Sequence, residues 1–253
     1  MSDTPPDSGA LALARDGGVL TLTLSRPDRG NALGVELVEA LLAAVQAAPL
    51  DPALHTLVLR GAGRHFCTGL DLSDLDSSSD ADWLWRLVRI ETLLDALWRC
   101  PLATVALAQG RAWGAGADLF AACEQRVAAA DASFRFPGAQ FGIVLGTRRL
   151  AERIGADAAR TLVLHGGTLD AAAALRAGLA SALGDTAGGA TGDAPRPPAP
   201  VVAADTARAV RLATRHGAAD AADTDLAALV RSASAPGLKA RIRSYRERQL
   251  AQR

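Results

Sequence analysis

The sequence predicts an α/β fold, with a mostly parallel sheet in the first half and a helical C-terminal region. Three observations predict it. Between Val19 and Ala130, runs with strand periodicity alternate with runs of helical spacing. From about residue 147 onward only helical patterns recur. A Gly/Pro-rich stretch, GDTAGGATGDAPRPPAP at 184–200, cannot be regular structure and separates body from tail. The predicted organisation is a disordered lead (1–10), an α/β core (11–183), a linker (184–200) and a helical region (201–253).

The elements follow in order. The lead is polar, with Asp3, Pro5, Pro6 and Asp7. VLTLTL at 19–24 alternates apolar residues with Thr, the period of a half-buried strand. SRPDRGN at 25–31 is a Pro/Gly turn. Residues 35–48 place Val35, Val38, Leu41, Leu42 and Val45 at helical spacing. Residues 54–59 read as a second strand, stopped by Gly61 and Gly63. The acidic, Ser-rich stretch 73–82 reads as a mobile loop or a weak helix start. Residues 82–98 form an amphipathic helix ended by Pro101. Residues 103–108 are a buried strand, then come a Gly-rich turn, a helix over 116–123 and a short strand near 126–130. The tail reads as two or three helices.

Composition narrows the function classes. A chain of 253 residues suits one large domain with a sizeable core. Hydrophobic residues make up 49% and charged residues 21%, which excludes a wholly disordered or fibrous chain. Cations and acids number 27 each, and only Lys239 among the cations is lysine. Zero net charge argues against a nucleic-acid partner. Cys67, Cys100 and Cys123 form no CxxC pair, so neither a zinc site nor a disulfide framework is indicated. No stretch has the length and hydropathy of a membrane span, and the N-terminus lacks signal-peptide features. A cytoplasmic location is the expectation.

Three segments carry the chemistry: RPDRGNAL (26–33), GAGRHFCTGLDL (61–72) and AQGRAWGAGADLFAACE (108–124). In this order and at these separations they resemble the enoyl-CoA hydratase/isomerase (crotonase) superfamily, from about Val19 to Ala182. The resemblance implies a spiral of ββα units. It implies an acyl-CoA thioester as partner, with coenzyme A part of the substrate and no permanently bound cofactor or metal. It also implies a homotrimer or a dimer of trimers, and a place in fatty acid metabolism.

By position, the resemblance makes the N–H groups of Leu70 and Ala115 the donors that stabilise an enolate oxyanion. Preorganised backbone donors suit this because they need no reorganisation as charge develops. The family usually has Gly where Ala115 stands; alanine keeps the N–H, while its Cβ disfavours a left-handed backbone. The first catalytic acid of family hydratases falls on Asp118, three residues on. Aspartate is one methylene shorter than glutamate, about 1.5 Å of reach. The second falls on Gly138, in FPGAQFG, which has no side chain. Two-acid hydration is therefore in doubt. A decarboxylase, a thioester hydrolase, a C–C bond enzyme or a non-catalytic acyl-CoA-binding paralogue stays open.

Substrate contacts are implied for Arg29 and Ala32 in the first segment, and for Arg64, Phe66, Cys67, Gly69 and Leu72 in the second. Gly114 and Gly138 complete the set. Arg29 matches a position near the nucleotide phosphates, or is simply an exposed turn arginine. Asp118 is a pocket acid or a capping carboxylate. Glu91 and Asp95 read as solvated helix-face acids, though either could stand in for the missing glutamate. Trp83, Trp85 and Trp98 shape an acyl pocket, or pack in the core or against another subunit. Arg148 and Arg149 form a basic helix start on the surface, or meet a substrate carboxylate. The basic tail 237–248 resembles family tails that pack on a neighbouring subunit.

Overall fold

The computed structural model describes residues 9–184, 201–214 and 218–251. Residues 1–8 of the expected lead, 185–200 of the expected linker, and His216 lie outside these. Gly9 and Ala10 are described, and Ala10 is buried, its carbonyl accepting the Ser25 N–H.

The main sheet has six strands. In chain order, β1 (Leu11–Asp16) pairs antiparallel with β2 (Val19–Leu24) across a Gly17-Gly18 hairpin. β3 (Thr56–Gly61) and β4 (Ala103–Ala108) follow in parallel. Their near-continuous apolar runs are those of strands buried on both faces. β6 (Gln125–Ala128) and β9 (Ala182–Leu183) complete the sheet, in the order β1-β2-β3-β4-β6-β9. A second sheet holds β5 (Arg111–Trp113), β7 (Ser133–Arg135) and β8 (Thr168–Asp170).

Five of these strands were not anticipated. β1 has only a short alternation, and β5, β7, β8 and β9 are two or three residues long, too short for a period to register. β8 and β9 also correct the expectation of helices alone after residue 147.

Helices α1 (Val35–Ala47) and α2 (Asp80–Arg99) pack together, burying Leu37, Leu41, Leu42, Ile90, Leu93 and Leu94 in the main core. The Ser-rich stretch supplies the start of α2. Ser79 Oγ accepts the Asp82 N–H at 3.2 Å and Asp82 accepts the Ser79 N–H at 2.8 Å, a capping box. α3 (Ala115–Ala122) is wholly buried. α4 (Thr147–Ile154), α5 (Ala156–His165) and α6 (Ala171–Ala177) follow.

The tail gives α7 (Ala204–Ala213), α8 (Ala218–Ala233) and α9 (Leu238–Ala251). α8 and α9 close a second core, where Leu229, Ala233, Leu238 and Ile242 meet Leu75, Trp83, Leu87 and Ile143. The Asp80 carboxylate accepts the N–H groups of Leu238 and Lys239 at 3.1 and 2.8 Å, capping α9. Arg241 donates to the carbonyls of Phe141, Gly142, Ser232, Ala233 and Ala235. The basic tail thus packs on its own chain.

Candidate active site

Two turns are brought side by side by the small sheet. Cys67 bridges to Ala112 of β5 and Leu70 bridges to Leu33, so the 67–70 turn is fastened to the β5–β7–β8 sheet at one end and to the first segment at the other. Gly69 has φ +97°, and a Cβ there would lie 2.8 Å from the Trp113 carbonyl and 3.6 Å from the Ala115 nitrogen. Only glycine lets the 69–70 turn approach the 113–115 turn this closely. Among the described residues neither the Leu70 nor the Ala115 N–H has a hydrogen-bond partner. Ala115 is the first residue of α3, where an N–H has no intrahelical acceptor. Its backbone is right-handed helical, so the Cβ that could have disfavoured this turn carries no conformational penalty.

Both turns open onto a cleft with an empty volume of about 910 Å³, its open mouth included. Leu70, Leu72 and Gly69 form one edge, and Trp113, Gly114 and Ala115 the next. Leu87 and Ile90 of α2, Leu150 of α4 and Val163 of α5 supply apolar wall, and Ile242 and Tyr245 of α9 close it. Phe136, Pro137, Gly138 and Phe141 line the remaining side. The Phe141 and Tyr245 rings lie 4.9 Å apart. Trp113 sits between the Arg111 and Arg135 guanidiniums, at 4.6 and 5.1 Å.

Asp118 is the one carboxylic acid on this wall. It is 5% exposed, and its Oδ1 has no hydrogen-bond partner. The Gly146 backbone (φ +66°) is seated against it: a Cβ at Gly146 would come 2.1 Å from that oxygen. Burial pushes the carboxyl well above the ordinary aspartate range, Glu91 adds to the rise, and Arg149 opposes it. Behind the cleft, Arg149 makes a two-pronged ion pair with Glu91, at 2.6 and 3.1 Å, with both side chains buried.

This geometry sorts the sequence expectations. Asp118, Leu70, Ala115, Gly69, Leu72, Gly114 and Gly138 all line the cleft. Arg29, Ala32, Arg64, Phe66 and Cys67 do not. Arg29 and Arg64 are exposed, and Ala32 is buried with its carbonyl accepting from Arg26. Phe66 and Cys67 are sealed in the core, and burial pushes the Cys67 thiol up to about 12. Glu91 is not a solvated helix-face acid, and Arg149 is not a surface arginine, because each neutralises the other inside the protein. The three tryptophans are not on the cleft wall: Trp83 and Trp98 are buried elsewhere and Trp85 is 61% exposed. The Leu87 and Ile90 face of the same helix lines the cleft instead.

Two residues with structural weight were missed. Asn31 is the one non-glycine with positive φ (+54°) among the described residues. Its amide joins the first two sequence segments, accepting from Arg26 N–H and donating to the Ala62 and His65 carbonyls. An asparagine after Arg-Gly in a turn was the available signal. Tyr245 was missed because its contact spans a hundred residues of chain.

A parallel sheet with helical crossovers, and a cleft where two unpaired N–H turns meet at a helix start, define a protein of the crotonase type. Residues 14–185 match the enoyl-CoA hydratase/isomerase family profile, and the chain belongs to that family. It is similar to echA6 of Mycobacterium bovis, a candidate enoyl-CoA hydratase, at 37% identity over 78% of this chain and 76% of that protein. It is also similar to a crystal structure from Bordetella parapertussis, that of a candidate enoyl-CoA hydratase/isomerase. The identity is 42% and the TM-score 0.84, with 93% of this chain and 98% of that one covered. An enoyl-CoA hydratase/isomerase structure from Mycobacterium paratuberculosis shares the fold. It has 24% identity and a TM-score of 0.79, over 96% of this chain and all of that one. No helix among the described residues is long and apolar enough to cross a membrane.

Proposed function

We propose that this protein holds an acyl-CoA thioester with its carbonyl oxygen between the N–H groups of Leu70 and Ala115. They stabilise the enolate, and Asp118 delivers a proton to the α-carbon. The observation that carries this reading is the pairing of two unpartnered N–H groups with one buried acid, its Oδ1 without a hydrogen-bond partner, in a single apolar cleft. Donors fixed by backbone geometry act strongly on developing charge in a water-poor site. The positive end of α3 adds to the effect at Ala115. Coenzyme A enters as part of the substrate, with no resident cofactor. The exposed Arg29 and Arg64 offer guanidiniums to its phosphates. A homotrimer or a dimer of trimers is the assembly that goes with this reading.

Hydration needs a second group to activate water. That position is Gly138, so turnover of an enoyl thioester is slow while binding is retained. The experiment is crotonyl-CoA turnover, followed by loss of the conjugated absorbance, with calorimetric binding of the same thioester. Binding with slow turnover supports the reading. Fast turnover contradicts the single-acid assignment, and absence of binding contradicts the whole reading.

A second reading is favoured by the burial of Asp118, which raises its pKa and favours its acid form. Loss of CO2 from a carboxyacyl thioester creates the enolate without a base and needs only an acid afterwards. Release of CO2 from malonyl-CoA or methylmalonyl-CoA would select it over isomerisation or hydration.

A further inference from the structure

The chain is poor in aromatic residues, at 4%, and has a single tyrosine. Yet Trp113, Phe136, Phe141 and Tyr245 all line the cleft. They are not equivalent there. Phe136 is buried, and the Trp113 ring is taken up by the Arg111 and Arg135 guanidiniums. Phe141 and Tyr245 are half-buried, so their rings keep surface for a ligand. Those rings lie 4.9 Å apart, tilted by 43°.

The surroundings hold this pair in place and give it room. Phe141 ends the short 3-10 helix Pro137–Phe141, where side chains three residues apart eclipse. Gly138 stands three residues before Phe141, so the face beside that ring carries no side chain. Arg241 fastens α9 to the same turn by donating to the Phe141 and Gly142 carbonyls, both at 3.1 Å. Gly142 permits the approach, because a Cβ there would lie 2.2 Å from Arg241 Nη1. Tyr245 is one helical turn beyond Arg241 on the same face of α9, so its ring is held against Phe141 before any ligand arrives. Phe141 also packs with Leu70, Leu72 and Leu145 against one apolar cluster, which continues the wall from the Leu70 turn.

We propose that the acyl group taken by this cleft is flat and conjugated, an aryl or arylpropenoyl group, its ring lying beside Gly138 against the Phe141–Tyr245 pair. This rests on the reading of the cleft as an acyl-CoA site. In that reading the thioester oxygen is at Leu70 and Ala115, and the acyl group continues along the wall from Leu70 to Phe141. A flat ring gains contacts with aromatic faces and edges that an alkyl chain of equal carbon number does not. It also loses less rotational freedom on binding. Gly138 then has a positive role: the side chain missing for hydration leaves the width that a ring needs. Even a Cβ at Gly138 would lie 3.2 Å from the Ile143 carbonyl.

The test needs no turnover. Calorimetry on the full chain compares cinnamoyl-CoA with trans-2-nonenoyl-CoA, which have equal numbers of acyl carbons and the same conjugated thioester. Wild type should bind the cinnamoyl thioester about 2- to 12-fold more tightly, the ratio expected of one aromatic contact. Tyr245→Leu and Phe141→Leu keep an apolar wall and should bring that ratio to about one or below. Tyr245→Phe should preserve it, because the ring and not the hydroxyl makes the contact. Equal or tighter binding of the nonenoyl thioester by wild type overturns the proposal, and that result needs no variant to fold. A preference that survives in folded Tyr245→Leu and Phe141→Leu overturns it as well. Binding of crotonyl-CoA with neither longer thioester, or of both without preference, defeats the inference and leaves the acyl-CoA reading intact. If no thioester binds, the acyl-CoA reading fails and the inference fails with it.

Discussion

The cleft has two unlike sides. The edge formed by residues 69–70 and 113–115 offers a ligand only backbone N–H groups, and its shape depends on glycines and on the short strands beneath. The side formed by Asp118 and α4 offers a side chain, and its state depends on burial and on charges carried by α2 and α4. Backbone donors keep one chemistry whatever surrounds them. A buried carboxyl has the chemistry its neighbours allow. The first side can be altered only by moving the chain, the second by changing a single charge.

The sharpest way to break this contrast is Gly69→Val. A β-branched residue at φ +97°, aimed at the Trp113 carbonyl, must displace the turn. The strain is on the order of 1–3 kcal/mol, and loss of one oxyanion donor lowers turnover about 100- to 1,000-fold. Thermal unfolding and steady-state kinetics on the same sample check this.

On the other side, Asp118→Asn should lower turnover roughly 100-fold or more while acyl-CoA binding, measured by calorimetry, stays within a few-fold. Equal losses in both variants' binding would erase the distinction between the two sides.

The charge dependence of the second side can be read as stability. Glu91→Leu alone removes the two-pronged partner of Arg149, leaving it Asp95 and Asp225 at 3.6 Å, and should cost about 1.5–3 kcal/mol in denaturant unfolding. Glu91→Leu with Arg149→Met should restore most of that loss.

The smallest effect is in pH. Burial raises the pKa of Asp118 in the folded chain, whereas in the unfolded chain it titrates near the ordinary aspartate range. Its contribution is therefore fully present below the unfolded pKa and declines as pH rises toward the raised folded pKa. Each unit of difference is worth about 1.4 kcal/mol. Asp118→Asn should gain stability relative to wild type as pH rises above about 4. A flat difference between pH 4 and 8 would contradict a raised Asp118 pKa.

The two sides were also unequally legible in the sequence. Gly69, Leu70, Gly114, Ala115 and Asp118 sit in two segments where glycine spacing and a helix start are local signals, and all five line the cleft. The long elements α1, α2, β2, β3 and β4 showed through their periods for the same reason. Glu91 and Arg149 are 58 residues apart, and nothing in a helical pattern says that two opposite charges will be buried together. Each was read as exposed because a lone charged residue usually is. Tyr245 and Ile242 reach the cleft from the far end of the chain, and β5, β7, β8 and β9 exist only through pairing with one another or with the main sheet.

The most direct test of the central claim is the ultraviolet spectrum of a bound conjugated acyl-CoA, such as a dienoyl or cinnamoyl thioester. Two backbone donors on the thioester oxygen pull electron density toward it. A red shift on binding to wild type, retained in Asp118→Asn and lost in Gly69→Val, is the predicted result. A bound thioester whose spectrum matches that in solution would contradict the account.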